Sequence, residues 1–337
     1  MQEHTPSYLT ELTHCELCEW RCGVDRLAGE LGACRIGIPQ VASTTLHPAP
    51  PSSYTIFLAG CNFRCLHCQN WSIAHYPDTN VAIHGWIDPD AVASDGIEQI
   101  RSLPGQLIGA DRLFFSGGEP TCSLPSVEEI VRQARHIAPD TKVNFDTNGF
   151  MTEESLERIL AFTTSITFDI RAVSDDVHRA LTGAPSQPVL RNARIIAREA
   201  HDKLWEFRIL LIPEINEEEV EAICAFIADL NPALPVCFLA FRPNFVLDAH
   251  RGAPRSLMQW AVRVAHKAGL RNVSWAGATG IYGSIPDGRN GRYQSTGAQI
   301  AGYYAERAGC ITHPRDCGNC NRNQNCQLKR YTPFRST

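Results

Sequence analysis

The chain has 337 residues, of which 44% are hydrophobic and 20% charged, and its formal net charge is −5. This composition supports an ordinary globular core and excludes a disordered or fibrous protein. The sequence shows neither an apolar run long enough to span a membrane nor a basic start followed by an apolar stretch, so we expect no membrane segment and no signal peptide. The acidic balance argues against a nucleic-acid partner. We expect a cytoplasmic protein.

Between its ends the chain alternates short β-branched or aromatic runs with longer helical stretches. The predicted strands are Tyr54–Ala59, Arg112–Ser116, Lys142–Asp146, Ser165–Asp169, Phe207–Ile212, Val236–Arg242 and Asn272–Ala276. The predicted helices lie near Asp88–Ser102, Ser126–His136, Glu153–Ala161, Gln187–Ala200, Glu217–Leu230 and Ser256–Ala268. Such alternation predicts an α/β fold with parallel strands, as a full or partial barrel or an open sheet. His47–Ser53 is interpreted as a linker and Gly277–Gly302 as loop-like.

Cysteine is unusually abundant, at 14 residues. Because nothing predicts export, clustered thiols favour metal or redox cofactors over disulfides. Most of them fall into an N-terminal group, a central group and a C-terminal group. In that order the groups are Cys15, Cys18, Cys22 and Cys34; Cys61, Cys65 and Cys68; and Cys310, Cys317, Cys320 and Cys326. We interpret Cys122, Cys224 and Cys237 as structural.

The central group follows the first predicted strand, in the segment GCNFRCLHCQN. Three thiolates leave one iron of a [4Fe–4S] cube without a protein ligand, which suits cofactor chemistry better than pure electron transfer. A zinc site is the alternative, with His67 as fourth ligand. The position of His67 between Cys65 and Cys68 makes such joint chelation awkward.

Three further motifs follow at strand ends: FFSGGEPT after the second predicted strand, NFDTNG after the third and FDIRAVSDDVHRALTG after the fourth. Together with the central group, this set resembles the radical S-adenosylmethionine (SAM) superfamily over about Tyr54–Arg242. Within it, the core looks like the glycyl-radical activating enzymes, which include the pyruvate formate-lyase-activating enzymes. The segment FRILLIPEIN fits the same subgroup, whereas Arg171 stands where those enzymes carry Lys.

The resemblance implies a partial (β/α)6 radical SAM barrel, a [4Fe–4S] cluster on the central group, and bound SAM. The implied SAM contacts are Gly117, Gly118, Glu119, Pro120, Asp146, Asn148, Asp169, Arg171 and Arg208.

The implied contacts have a physical rationale, and several of them also have a purely structural alternative. Two glycines let the backbone approach the methionyl ammonium, and Glu119 offers a countercharge. Asp146 and Asn148 can bind ribose hydroxyls or, alternatively, cap the strand end. Arg171 can hold the SAM carboxylate through two hydrogen bonds.

The alternative for Arg171 is an ion pair with Asp175 or Asp176. Arg208 faces the barrel lumen or forms a structural salt bridge.

The two outer groups favour further metal sites in small Cys-rich extensions. We expect residues 1–46 to be a four-Cys extension, 47–276 the radical SAM core, and 277–337 a C-terminal four-Cys extension. The segment CELCEWRCGVDRLAGELGACRIG resembles the extension of a subgroup of activating-enzyme-like proteins, and its thiolates suit a structural Zn or Fe site, with a second cluster as the alternative. The C-terminal group suits Zn, Fe or an Fe–S cluster.

Three functions compete. The extra thiolate groups and the Gly/Tyr-rich C-terminal part look like the cobalamin-dependent C-methyltransferases of methyl-coenzyme M reductase, with glutamine C-methylation the closest match. The runner-up is a glycyl-radical activating enzyme, and the third is an iron–sulfur electron carrier, which has no use for a SAM pocket. We expect a protein or peptide substrate and a reductase or ferredoxin-type electron donor. Cobalamin contacts could come from the tyrosines of the C-terminal part, which are Tyr282, Tyr293, Tyr303 and Tyr304.

Overall fold

The computed structural model describes residues 6–280 and 283–333. Eight strands form one sheet, in which they follow one another in chain order. They are β1 (Val41–His47), β2 (Ser53–Leu58), β3 (Arg112–Gly117), β4 (Lys142–Thr147), β5 (Ser165–Asp169), β6 (Leu204–Leu211), β7 (Pro235–Ala240) and β8 (Asn272–Ala276). β1 runs antiparallel to β2, whereas β3 is parallel to β2 and β4, and β7 is parallel to β6 and β8.

Helices separate most of the strands along the chain. They are α1 (Trp71–Ala74), α2 (Pro89–Arg101), α3 (Leu103–Ile108), α4 (Leu124–Ile137), α5 (Glu153–Phe162), α6 (Asp175–Thr182), α7 (Gln187–Glu199), α8 (Val220–Leu230), α9 (Arg255–Lys267) and α10 (Thr296–Arg307). The mostly parallel sheet with its intervening helices confirms the predicted α/β fold of a partial radical SAM barrel. All seven predicted strands are present, with bounds shifted by a few residues.

The chain divides into two compact units. Unit 1 contains the chain up to Asn62 together with Ser72–Ile166. Inside it, Tyr54 of β2 pairs with Leu113 of β3, and Leu58 pairs with Gly117. The strand β2 is buried at nearly every position, which is typical of parallel strands covered on both faces.

Unit 2 contains Phe63–Trp71 and the chain from Thr167 onward. Its core includes the parallel pair β6 and β7, in which Phe207 lies beside Val236. The helix α10 packs against α6.

The helices α3 and α6 were not predicted from the sequence, and two further segments bear on how it was interpreted. The supposed linker His47–Ser53 connects β1 to β2, and the antiparallel strand β1 was not predicted. The segment Gly277–Gly302 was wrongly predicted to be loop-like throughout, because α10 begins at Thr296. The Ser295 side chain accepts a hydrogen bond from the Ala298 amide, and such an N-cap stabilises the first turn of a helix despite the neighbouring glycines.

In the part of the chain that the structure describes, no helix is both long and apolar enough to cross a bilayer.

Candidate cofactor-binding site

In unit 1, the end of β2 and the end of β4 bring Cys61 next to Asn148. The Asn148 Nδ2 atom lies 3.8 Å from the Cys61 Sγ atom and donates a 2.7 Å hydrogen bond to Asn62 Oδ1. The Asn148 Oδ1 atom accepts from the Phe150 amide, whereas the cap of α5 is Thr152. Asn148 therefore combines a turn-stabilising contact with a position beside the first cysteine of the central group.

Glu119 ties the ends of β3 and β4 together. Its side chain is 1% exposed and accepts hydrogen bonds from the Thr121 amide and hydroxyl, the Thr147 hydroxyl and the Asn148 amide, at 2.6–3.1 Å. Burial raises the pKa of Glu119 to about 7, although these hydrogen bonds favour the carboxylate. The carboxyl group is thus held in a fixed orientation and has protein partners on both oxygens.

The glycine before Glu119 has a packing reason of its own. A Cβ atom on Gly118 would lie 2.0 Å from the Gly60 carbonyl oxygen, so only glycine allows this approach to the chain after β2. The Glu119 amide donates to that same Gly60 carbonyl. Nearby, the Ser116 hydroxyl donates a 2.8 Å hydrogen bond to Asp146.

In unit 2, the structure brings Arg171 near two cysteines of the central group. Burial disfavours the Arg171 cation, but Asp169, Cys65 and Cys68 oppose this effect, and the net result raises the pKa of Arg171. The Arg171 Nη2 atom donates a 2.5 Å hydrogen bond to Asp169 Oδ2. Within the described ranges, the buried Arg171 Nε and Asp169 Oδ1 atoms have no hydrogen-bond partner. These two atoms are therefore available to a polar ligand.

Arg171 does not form the ion pair with Asp175 or Asp176 that was its structural alternative, whereas Arg208 does form a salt bridge. Asp175 accepts from Arg179, and Asp176 accepts from the Ser295 hydroxyl, so Arg171 pairs with Asp169 instead of either. Arg208 donates a 3.0 Å hydrogen bond from Nε to Glu206, as the salt-bridge alternative predicted.

The central-group thiols of unit 2 are in a water-poor environment. Burial raises the pKa of Cys65 to about 11 and that of Cys68 to about 12. Burial also lowers the pKa of His67 well below its ordinary value, with Arg171 contributing next, so the ring is neutral. Thiols of this kind ionise when they bind a metal, because the metal replaces the proton.

The N-terminal group is built into unit 1. Cys18 forms a β-bridge with Met151, and the Trp20 indole donates a 2.8 Å hydrogen bond to the Asn62 carbonyl. Burial raises the pKa of Cys18 well above its ordinary value, and the other three thiols of the group add to this effect. The group is thereby anchored beside the residue that follows Cys61.

Two residues next to the N-terminal group were not assigned to it from the sequence. Arg26 is 2% exposed, and its Nη1 atom donates to the Cys122 carbonyl at 2.8 Å and to Cys15 Sγ at 3.5 Å. A hydrogen-bonding contact with Cys34, together with burial, raises the pKa of Cys122 well above its ordinary value. The position of Cys122 directly after GGEPT was the available signal.

The C-terminal group lines a cavity in unit 2, together with Arg64 and Arg315. Both arginines are 1% exposed, and neither was predicted to belong to a site. All the cysteines of the three groups are free thiols. Within residues 6–280 and 283–333, no three His, Cys, Asp or Glu side chains are already arranged to hold a metal ion. The metal ligand sets therefore stay predictions.

The tyrosines considered for cobalamin have protein partners where the structure describes them. The Tyr293 hydroxyl accepts from the Arg315 amide, that of Tyr303 accepts from Arg307, and that of Tyr304 lies 3.2 Å from His250 Nδ1. Tyr282 lies outside the described residues.

The family of the chain follows from a match to the radical SAM superfamily model over residues 55–227, just over half of the sequence. The chain belongs to the radical SAM superfamily, and this family indicates an enzyme that uses a [4Fe–4S] cluster and SAM.

Two curated relatives and one solved structure show which proteins the chain is similar to. An uncharacterized protein of Methanocaldococcus jannaschii is 24% identical over 91% of this chain and 92% of its own length. The pyruvate formate-lyase-activating enzyme of Staphylococcus epidermidis is 26% identical over 52% of this chain and 67% of its own length. Among solved structures, Streptococcus suis SuiB bound to SAM has a TM-score of 0.45 and 14% identity, covering 66% of this chain and 46% of its own.

Proposed function

We propose that this enzyme binds a [4Fe–4S] cluster through Cys61, Cys65 and Cys68, binds SAM beside it, and modifies a protein or peptide substrate. When bound, the cluster and SAM supply a 5′-deoxyadenosyl radical that abstracts hydrogen from a C–H bond. A reductase or ferredoxin-type protein is the proposed electron donor. The residues of this chain bind, orient and shield the reactants, which is the role of the protein in cofactor chemistry.

The observation that carries the SAM site is the pair of unpartnered buried atoms, Arg171 Nε and Asp169 Oδ1. A buried guanidinium N–H without an acceptor is costly, and the carboxylate of an amino-acid ligand satisfies it. Asp169 Oδ1 in turn accepts from an ammonium or hydroxyl group. A donor on Arg171 and an acceptor on Asp169 match the carboxylate and the ammonium group at the methionyl end of SAM.

The environments of the cysteines support the cluster. Cys61 is 8% exposed and has the Asn148 amide beside its sulfur, while Cys65 and Cys68 are half-buried and have the Arg171 cation in electrostatic range. Amide and guanidinium N–H groups near sulfur stabilise the negative charge of thiolate-bound iron.

Glu119, Asp146, Asn148 and Arg208 are proposed to complete the SAM contacts, with Gly117, Gly118 and Pro120 shaping the backbone. The four hydrogen bonds of Glu119 imply that its main contribution is to fix the GGEP turn. Its contact with the methionyl ammonium stays a prediction.

The finer prediction, cobalamin-dependent C-methylation of a glutamine in methyl-coenzyme M reductase, stays open beside the activating-enzyme alternative. The hydroxyls of Tyr293, Tyr303 and Tyr304 all have protein partners, so none of them is an unsatisfied group that points to a corrin site. We therefore derive no step through cobalamin.

Product analysis tests the proposed function. Anaerobically purified enzyme, given SAM and a strong reductant, should form 5′-deoxyadenosine, and the variant with Cys61, Cys65 and Cys68 all changed to Ala should not. Cys224→Ala is the control, because this cysteine is buried in α8 and belongs to none of the three groups. Continued 5′-deoxyadenosine formation by the triple variant would show that the central group is not the cluster site.

The same assay separates the two finer functions. C-methylation should yield S-adenosylhomocysteine as well as 5′-deoxyadenosine and add the mass of one methyl group to a peptide. A glycyl-radical activating enzyme should yield 5′-deoxyadenosine alone and leave a radical on its partner.

A further inference from the structure

The segment FRILLIPEIN ends at Asn216, which lies between β6 and α8 and is not among the proposed SAM contacts. Asn216 is 1% exposed. Its Oδ1 atom accepts from the Ile212 amide at 2.8 Å, and its Nδ2 atom donates to the Leu210 carbonyl at 2.7 Å. The Asn216 side chain is therefore fixed to the carboxyl end of β6.

The same side-chain amide reaches the loop that carries Arg171. Asn216 Nδ2 also donates to the Arg171 carbonyl, at 3.1 Å. This loop, residues 170–174, follows the last residue of β5 and precedes the first residue of α6, so it belongs to neither element. One amide group thus connects the end of β6 to the residue whose guanidinium is proposed to hold the SAM carboxylate.

Glu219 holds the other end of this loop. It is 8% exposed, and its Oε2 atom accepts from the Val173 amide at 2.8 Å and from the Ser174 amide at 2.9 Å. Ser174 is the N-cap of α6, where a serine side chain ordinarily accepts from its own helix. Within the described residues it makes no such bond, and its hydroxyl donates to Glu219 Oε1 instead. The loop is thus bound to Glu219 at the expense of the usual helix cap.

These contacts determine where the Arg171 guanidinium lies. Its Nη2 atom is bound to Asp169, and its main chain is bound through the carbonyl to Asn216. With both ends of the residue held, the direction of the unpartnered Nε atom follows from the position of the loop backbone. A loop is ordinarily the mobile part of a fold, whereas a charged contact with a ligand needs placement to within about 0.5 Å. The loop therefore needs the support that Asn216 and Glu219 supply.

We propose that Asn216 and Glu219 are positioning residues of the SAM site, which hold residues 170–174 so that Arg171 Nε faces the methionyl carboxylate. Neither side chain contacts SAM in this arrangement, because both act through the loop that carries Arg171. The inference rests on the proposed function, since it concerns the same SAM site.

The test is SAM affinity, measured by calorimetry on the full chain purified without oxygen and reconstituted with iron and sulfide. Asn216→Leu should raise the Kd for SAM roughly three- to a hundredfold, the range of coupling energies between neighbouring residues. Asn192→Leu is the matched control, because this asparagine of α7 is also fully buried in unit 2, and it should leave the Kd unchanged.

A double-mutant cycle separates positioning from general support of the fold. In the Arg171→Met background, Asn216→Leu should cause no further loss of SAM affinity, because no guanidinium remains to be misplaced. An equal loss in both backgrounds would overturn the proposal, since Asn216 would then act independently of Arg171. A Kd for Asn216→Leu within about twofold of the natural value, the ordinary error of additivity, would overturn it as well.

Glu219 provides a second pair of variants in case Asn216→Leu does not fold. Glu219→Gln keeps an oxygen for the Val173 and Ser174 amides and should bind SAM nearly as well as the natural protein. Glu219→Ala removes that acceptor and should weaken SAM binding as Asn216→Leu does. Natural affinity in Glu219→Ala, or an equal loss in both Glu219 variants, would contradict the positioning role.

Arg171→Met by itself distinguishes this inference from the proposed function. If it weakens SAM binding while Asn216→Leu and Glu219→Ala do not, only the positioning role is wrong. If Arg171→Met leaves SAM binding unchanged, the methionyl end lies elsewhere, and the proposed SAM site and this inference are both wrong.

Discussion

The Glu119 carboxyl group gives a prediction that connects the pH dependence of stability to the geometry of the site. Burial raises its pKa from an ordinary 4.5 to about 7. Because the folded pKa is above the unfolded one, folding favours the protonated form. The stabilisation is complete below pH 4.5 and is lost as the pH rises through about 7.

The size of the effect follows from that difference in pKa. At about 1.4 kcal/mol per pKa unit, ionisation lowers the free energy of unfolding by about 3 kcal/mol, of which about 2.5 kcal/mol is lost between pH 5 and pH 8. The variant Glu119→Gln removes this titration. It should also cost about 1–3 kcal/mol, because the Gln amide cannot accept from the Asn148 amide that now donates to Oε2.

Urea unfolding at pH 5 and pH 8 measures both quantities. At pH 5 the variant should have a lower free energy of unfolding than the natural protein. At pH 8 this difference in free energy should be smaller by about 2.5 kcal/mol or have the opposite sign. Glu218→Gln, at an exposed position, is the control, and its difference in free energy of unfolding from the natural protein should not change with pH. If the difference for Glu119→Gln is also the same at pH 5 and pH 8, the raised pKa of Glu119 is refuted.

Three further predictions concern other parts of the molecule. Arg171→Met removes the proposed carboxylate contact and should weaken SAM binding roughly ten- to a hundredfold by calorimetry; unchanged binding would place the methionyl end elsewhere. Cys15→Ser should lower both the metal content and the thermal unfolding midpoint before it affects activity per folded molecule, and an inactive variant that keeps its fold and metal would instead indicate electron transfer. Ser295→Ala removes the N-cap of α10 and should cost about 1 kcal/mol in urea unfolding, with Ser256→Ala, inside α9, as the control.

Much of the fold could be predicted from local patterns. The runs around β3, β4 and β5 were placed within a residue or two, since a short apolar run bounded by polar residues encodes a buried parallel strand. The strand β1 was missed because its half-exposed residues give a weak signal, and its pairing with β2 supplies most of its order. The start of α10 was hidden by its glycines.

The sequence by itself determined the features that depend on residues close along the chain. These are the spacing of the central group, the order of the motifs after successive strands, and the family to which they point. Covalent connection keeps such residues together in any fold that forms the strand, so their pattern can be interpreted without coordinates.

The tertiary structure decided which partner each polar group has. Arg171 pairs with Asp169 because Asp175 and Asp176 are engaged elsewhere, and Arg315 donates to the carbonyl of Arg64, 251 residues away in sequence. The sequence near Arg171 offers several carboxylates and does not say which one it pairs with, and no local pattern encodes a contact between residues as far apart as Arg315 and Arg64. Both contacts arise because a buried charge must find an acceptor among whatever groups the packing brings within about 3 Å, and that choice is made by the whole fold.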